Sequence, residues 1–294
     1  MEGLLEDLLN LLGLERIEDR IFRGQSRDIG SPSVFGGQVL GQALAAASYT
    51  VDGREAHSLH AYFLRPGDAS QPIVYEVEIA RDGRSFSNRR VVAIQHGRPI
   101  FNMTASFQIP EDGLEHQATM PDVPGPSELL AYHELPAEIL ETIPKEMRLF
   151  LTRRQPFEIR PVEPVGLSSP EPSERAHRVW MRSIDTLPEE PDLHLSLLAY
   201  ISDYQLLRTS VLQHEIDFEN STLQVASLDH AMWFHRPFRV DDWLLFSMES
   251  PNAASARGFS LGKFFNENGV LVASAAQEGV VRIWPQKADP KSAS

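Results

Sequence analysis

The sequence predicts an α+β fold in which one unit, a helix with several antiparallel strands, is used twice. Three observations carry that expectation. His57-Ser-Leu-His-Ala-Tyr-Phe-Leu-Arg-Pro66 and Asp229-His-Ala-Met-Trp-Phe-His-Arg-Pro237 are both apolar, aromatic runs closed by Arg-Pro. The chain beyond each run keeps the same order: an apolar run (Ile73 to Glu78, Leu244 to Glu249), a Ser/Arg-rich segment (Arg84 to Arg90, Ser255 to Gly258), a turn at Gly97 or Gly269, and a small-residue run ending in Gln108 or Gln277. A helical pattern precedes each copy, at Phe35 to Ala47 and at Leu195 to Asp203. A doubled unit closes a seam between its copies, and seams form pockets.

From the N-terminus, leucines at 4, 5, 8, 9, 11, 12 and 14 give a leading amphipathic helix. Ile21 to Gln25 reads as a short strand, and a Gly/Ser/Pro turn leads into the Phe35 to Ala47 helix. Gly37 and Gly41 lie one turn apart on its small-residue side, so another backbone must approach closely, and the wrapping sheet is the expected neighbour. Alternating runs at 57–64, 73–79, 88–95 and 99–107 are strands. From Pro110 to about Lys145, repeated prolines predict a connection with one short helix near 137–142. The second unit opens near Phe157, crosses a Pro/Ser/Glu loop at 161–175 and resumes as a strand at Arg178 to Arg182. Pro191 and Asp192 start its helix, with Leu195, Leu198 and Ile201 on one face. Strands at 223–235, 242–249, 257–266 and 270–283 complete it, with a hairpin turn at Asn266-Glu-Asn-Gly269. The resulting division is an N-terminal unit at 1–115, a connecting segment at 116–156, a C-terminal unit at 157–285 and a loose polar tail at 286–294.

Bulk properties narrow the function. A chain of 294 residues with 42% hydrophobic content can bury a large core. No apolar stretch approaches the roughly 20 residues of a membrane span, and the acidic start does not read as a secretory signal. Cysteine is absent, which removes disulfides, thiolate metal sites and a cysteine nucleophile and suits a cytoplasmic protein. A net charge of -14 argues against nucleic acid.

Gly258-Phe-Ser-Leu-Gly262 matches the nucleophile-elbow pattern, but it lies in a strand before a hairpin and no histidine follows it. The pairs His57/His60 and His230/His235 lack metalloprotease spacing and sit among aromatics, which favours packing over a metal. No Walker or dinucleotide glycine loop is present. The polar groups left in apolar settings are Asp203, Ser227 and Gln277, each with an ordinary structural explanation.

Arg23-Gly-Gln25, Val34 to Gln42, His60 to Asp68, Ser106-Phe-Gln108, Asp229 to Pro237 and Ser255 to Gly258 together resemble the bacterial acyl-CoA thioesterase II family, from the first helix to about Trp284. The resemblance implies a double hotdog: two tandem helix-wrapped antiparallel sheets joined into one continuous sheet. It implies catalysis by Asp203, Ser227 and Gln277, with serine where the bacterial relative has threonine, and hydrolysis of medium- to long-chain acyl-CoA without a cofactor. Backbone N–H groups at Gly36-Gly37 or near Asp192 are candidate carbonyl polarisers. Arg65, Arg89, Arg90, Arg236 and Arg257 are candidate partners for CoA phosphates. A homodimer or homotetramer fits the edge-to-edge habit of hotdog sheets. The alternatives are a hotdog hydratase or dehydratase, which pairs an acid with a histidine at the helix start, and an acyl-CoA binder without activity.

Overall fold

The computed structural model describes residues 3–30, 33–141, 143, 145–163, 177–214, 216 and 221–285. The tail at 286–294 and most of the loop expected at 161–175 lie outside the described residues. The first half runs α1 (Leu4–Leu12), β1 (Glu15–Glu18), β2 (Ile21–Gly24), α2 (Gly36–Ser48), β3 (Glu55–Phe63), β4 (Ile73–Asp82), β5 (Phe86–Gln95) and β6 (Arg98–Gln108). After α3 (Ala137–Glu141), the second half runs α4 (Lys145–Thr152), β7 (Phe157–Pro161), β8 (His177–Ser183), α5 (Pro191–Ser202), α6 (Arg208–Val211), β9 (Ser221–Ser227), β10 (Asp229–Phe234), β11 (Leu244–Ala254), β12 (Arg257–Asn266) and β13 (Leu271–Pro285).

One antiparallel sheet joins the strands in the order β1-β2-β4-β5-β6-β3-β10-β13-β12-β11-β8-β7, with β9 also paired to β13. The order reads the same outward from its centre, so β3, β6, β5, β4, β2 and β1 match β10, β13, β12, β11, β8 and β7. The central pair is made of the two repeated motifs themselves. Tyr62 faces Asp229 and Ser58 faces Trp233, which is the reciprocal pairing a two-fold axis requires.

Local sequence explains the elements. Leu5, Leu8, Leu11 and Leu12 give α1 its buried stripe. The alternating burial along β5 follows from one face packing on the helices. The Asn266 to Gly269 hairpin closes because Asn266 Oδ1 accepts from the N–H groups of Asn268 and Val270, both at 3.0 Å, while Gly269 adopts φ 76°.

Three expectations need correction. The close neighbour of the α2 glycines is a helix. A Cβ on Gly37 would lie 2.1 Å from Tyr200 O, and one on Gly41 would lie 2.8 Å from Ser196 O, so α2 and α5 cross the sheet antiparallel with backbones nearly touching. The run at 223–235 is two strands. Asp229 Oδ1 accepts from the N–H of Glu278 at 2.8 Å and breaks the ladder at Leu228. The connection also holds more structure than one short helix, with 3-10 turns at Pro126–Glu128 and Tyr132–Glu134 before α3 and α4. It crosses the face of the sheet opposite the helices, where Met120, Val123 and Leu129 pack on Trp180, Leu245, Phe265 and Leu271. Trp180 Nε1 donates to Pro124 O at 2.9 Å there.

Candidate active site

Helix α5 ends at Asp203, its C-cap residue, and helix α2 begins at Gly36 directly opposite. A Cβ on Gly36 would stand 2.7 Å from Asp203 Oδ2 and 3.0 Å from the Phe63 ring, so any side chain there would displace the carboxylate. The N–H of Gly37 donates to the Asp203 carboxylate. From the sheet below, Gln277 Nε2 donates to Asp203 Oδ1 at 2.6 Å and to Ser227 Oγ at 2.9 Å. Acid, amide, alcohol and the glycine helix start thus meet in one place, although they span residues 36 to 277 of the chain.

The supports of this cluster are traceable. Glu278 N–H is held by Asp229, which fixes the strand one residue beyond Gln277. His230 is fully buried, and burial pushes its imidazole down to about 3, so the ring stays neutral. Its Nε2 lies 2.9 Å from Ser202 Oγ, which itself donates to Ala199 O; the ring N–H therefore donates to Ser202, pinning the residue before Asp203.

Asp203 is only partly buried by surface area, yet its carboxyl is closely surrounded, and burial pushes it up to about 6. Hydrogen bonds from Gln277, Gly37 and Ser227 pull it down without cancelling burial. The negative end of α5 works with burial and the positive start of α2 against it. A carboxyl poised near 6 is a far better base than one at about 3.9.

Phe35, Phe157, Tyr200 and Tyr204 form an aromatic cluster beside Asp203, in which Phe35 meets both tyrosines edge-on and Phe157 stacks on Tyr200, and Phe63 closes the α2 start. Among the residues missed in the sequence, Arg27, Arg153 and Arg154 gather with Tyr200 and Tyr204 around a cavity of about 260 Å³. The i, i+4 spacing of the two tyrosines around Asp203 was the available signal.

The five singled-out arginines are engaged elsewhere. Arg89 is buried, bonded to Thr50 and paired with Asp82 at 2.8 Å. Arg90 pairs with Glu78, Arg236 with Glu115 and Arg257 with Glu278. Arg65 is exposed and donates to Pro99 O at 2.6 Å. The histidine pairs diverge: His57 bonds Ser106, His60 packs edge-on against Trp233, and His235 bonds Ser274.

The sheet symmetry marks a second position, at the opposite ends of both helices. Strand registers equate Gln277 with Ala105 and Ser227 with Ala56. This revises the alignment of Gln277 with Gln108. Ser48 there takes the place of Asp203 and is buried, and Asp192 stands where Gly37 stands at the first position. A cavity of about 490 Å³ remains, lined by Ala56, Gln108, Pro191 and Phe234.

One family model, described as acyl-CoA thioesterase, matches residues 152–280, and another, described as acyl-CoA thioesterase N-terminal domain, matches residues 23–108. Acyl-CoA thioesterase 2 of Haemophilus influenzae is 41% identical over 290 residues, covering 96% of this chain and 99% of that protein. The chain belongs to the acyl-CoA thioesterase II family. Membership makes it a thioester hydrolase. A solved acyl-CoA thioesterase II, TesB2, from Mycobacterium marinum superposes on this thioesterase with a TM-score of 0.78 at 42% identity, over 97% of this chain and 100% of that one. A hot dog fold protein of unknown function from Alicyclobacillus acidocaldarius aligns with TM-score 0.75 at 19% identity over 96% of this chain and 99% of its own, a likeness of fold alone. The architecture of this thioesterase is a double hotdog. No helix among its described residues is long and apolar enough to cross a membrane.

Proposed function

We propose that this thioesterase hydrolyses medium- to long-chain acyl-CoA by direct attack of a water that Asp203 activates. The observation that carries the reading is the bonding of Gln277 Nε2 to both Asp203 and Ser227 beside the start of α2. Asp203 takes a proton as the water oxygen bonds to the carbonyl carbon, with Ser227 and Gln277 fixing its approach. The carbonyl oxygen becomes an oxyanion facing α2. Gln38 and Val39 N–H are satisfied by Phe35 O and Gly37 N–H by Asp203, which leaves Gly36 N–H as the oxyanion donor. Collapse breaks the C–S bond, and the proton on Asp203 passes to the departing sulfur. The products are a fatty acid and free CoA.

The aromatic cluster beside Asp203 supports an apolar acyl group. The cavity lined by Arg27, Arg153 and Arg154, with Asp28 beside them and Arg27 within 3.8 Å of Asp7, supports a phosphate-bearing CoA portion. Exposed Val225, Ile283 and Trp284 on the paired strands β9 and β13 support a homo-oligomeric contact.

Free thiol release from acyl-CoA of graded chain length tests the reading. Asp203→Asn and Gln277→Ala are each expected to lower kcat by about a hundredfold or more. A loss under about tenfold, roughly 1.4 kcal/mol of transition-state stabilisation, is incompatible with these roles.

A further inference from the structure

The pentapeptide from Gly258 to Gly262 holds no elbow, yet the fold puts its serine opposite Gln277 in the β12–β13 ladder. Paired residues on antiparallel strands project to the same face, with Cβ atoms about 4.5–5.5 Å apart. Both side chains are completely buried. Ser260 Oγ and Gln277 Oε1 each lack a hydrogen-bond partner among the described residues. A hydroxyl with a proton to give and an amide oxygen with nothing to accept are therefore sealed side by side, in a region where unpaired polar atoms are costly.

The packing around Ser260 explains why it is closed in. A Cβ on Gly258 would lie 2.1 Å from Ser210 Oγ, and one on Gly262 would lie 2.3 Å from Phe246. Leu207 presses equally close to Gly279. The chain from Leu206 to Ser210 thus lies directly on this patch of sheet, with Ser260 beneath it.

We propose that Ser260 is a positioning residue whose hydroxyl donates to Gln277 Oε1, directly after a small rotation or through one bridging water, and so locks the amide with Nε2 toward Asp203 and Ser227. This rests on the water-activation reading and adds a requirement to it. The two ends of a glutamine amide have nearly the same shape, so rotation by half a turn swaps donor for acceptor. An ionised Asp203 opposes the swap because it accepts from Nε2. Once Asp203 has taken the proton from water, that opposition lapses in mid-reaction. A donor behind the amide keeps Oε1 in place through that interval.

Steady-state thiol release from one medium-chain acyl-CoA, measured for the wild type, Ser260→Ala, Gln277→Ala and the double variant, provides the test. Ser260→Ala is expected to lower kcat by about 5- to 30-fold with KM within about twofold, and to change nothing further in the Gln277→Ala background. A kcat within about twofold of wild type overturns the assignment, as does an equal loss in both backgrounds, which is what a merely structural serine gives. If Gln277→Ala itself is nearly silent, the water-activation reading fails and this assignment with it; a crippled Gln277→Ala beside a silent Ser260→Ala removes this assignment alone. A crystal structure is independent of folding in the variants. Ser260 Oγ, or a water bonded to it, is expected within roughly 3.2 Å of Gln277 Oε1, and a Ser260 hydroxyl spent on a main-chain carbonyl overturns the idea.

Discussion

Asp203 is the residue on which pH acts. Its carboxyl is held near 6 by burial, and the proposed water activation needs it ionised, so kcat/KM is expected to rise with pH through about 6 and to level off above it. A pH profile measured on free enzyme and dilute substrate checks this. A limb centred near 4, the value of an ordinary solvated carboxyl, would show that the packing around Asp203 does not govern its chemistry. This residue was visible in the sequence as an acid in apolar surroundings, but nothing in the periodicity joined it to Ser227 or Gln277. Only the likeness of motifs did, because 24 and 74 residues of chain separate it from them and the register that joins them is set by strand pairing. Ser260 shows the converse. Its motif lacks the strand-to-helix turn of a nucleophile elbow, and its place beside Gln277 exists only once β12 and β13 are paired.

At the scale of elements, the antiparallel contact of α2 with α5 sets the gap in which the site lies. Gly41→Ala places a methyl 2.8 Å from Ser196 O, far from the reacting groups. It is expected to lower stability by about 1–3 kcal/mol while leaving kcat within a few-fold. Gly37→Ala meets Tyr200 O at 2.1 Å beside Asp203 and is expected to cost kcat at least about tenfold as well. Thermal melts paired with kinetics separate the two, and equal catalytic loss in both would refute this division. The sequence announced α2 by its run of small residues but pointed to the sheet as its close neighbour where the structure has α5, because a small-residue stripe says that something approaches but not what. It missed β1 because Glu15 to Glu18 is exposed throughout and shows no alternation. The break between β9 and β10 was hidden for another reason: Asp229 acts there as a main-chain mimic, and its side chain looks like any other within a strand.

For the whole molecule, the doubling was legible from repeated motifs, while the inequality of the copies was not. Alanines at 56 and 105 say nothing until strand registers set them against Ser227 and Gln277. The second position does hold an acid with a raised pKa, since burial lifts Asp192 and Glu55 adds to it. It also holds His194, but Nε2 of that ring is 3.0 Å from Pro188 O and Nδ1 accepts from Val240 N–H, so no nitrogen is left for a hydratase. Asp192→Asn is therefore expected to leave thiol release within about twofold, against the collapse expected for Asp203→Asn. A hundredfold loss at Asp192 would mean that both ends of the helix pair turn over substrate.

The start of α2 comes from one copy and the acid, alcohol and amide come from the other. Were the copies separate polypeptides, their meeting would be a bimolecular event, and a thinned solution would lose its working centres as partners drifted apart. Covalent tandem linkage replaces that encounter by a fixed local concentration, so turnover per chain at the proposed composite centre is expected to withstand dilution.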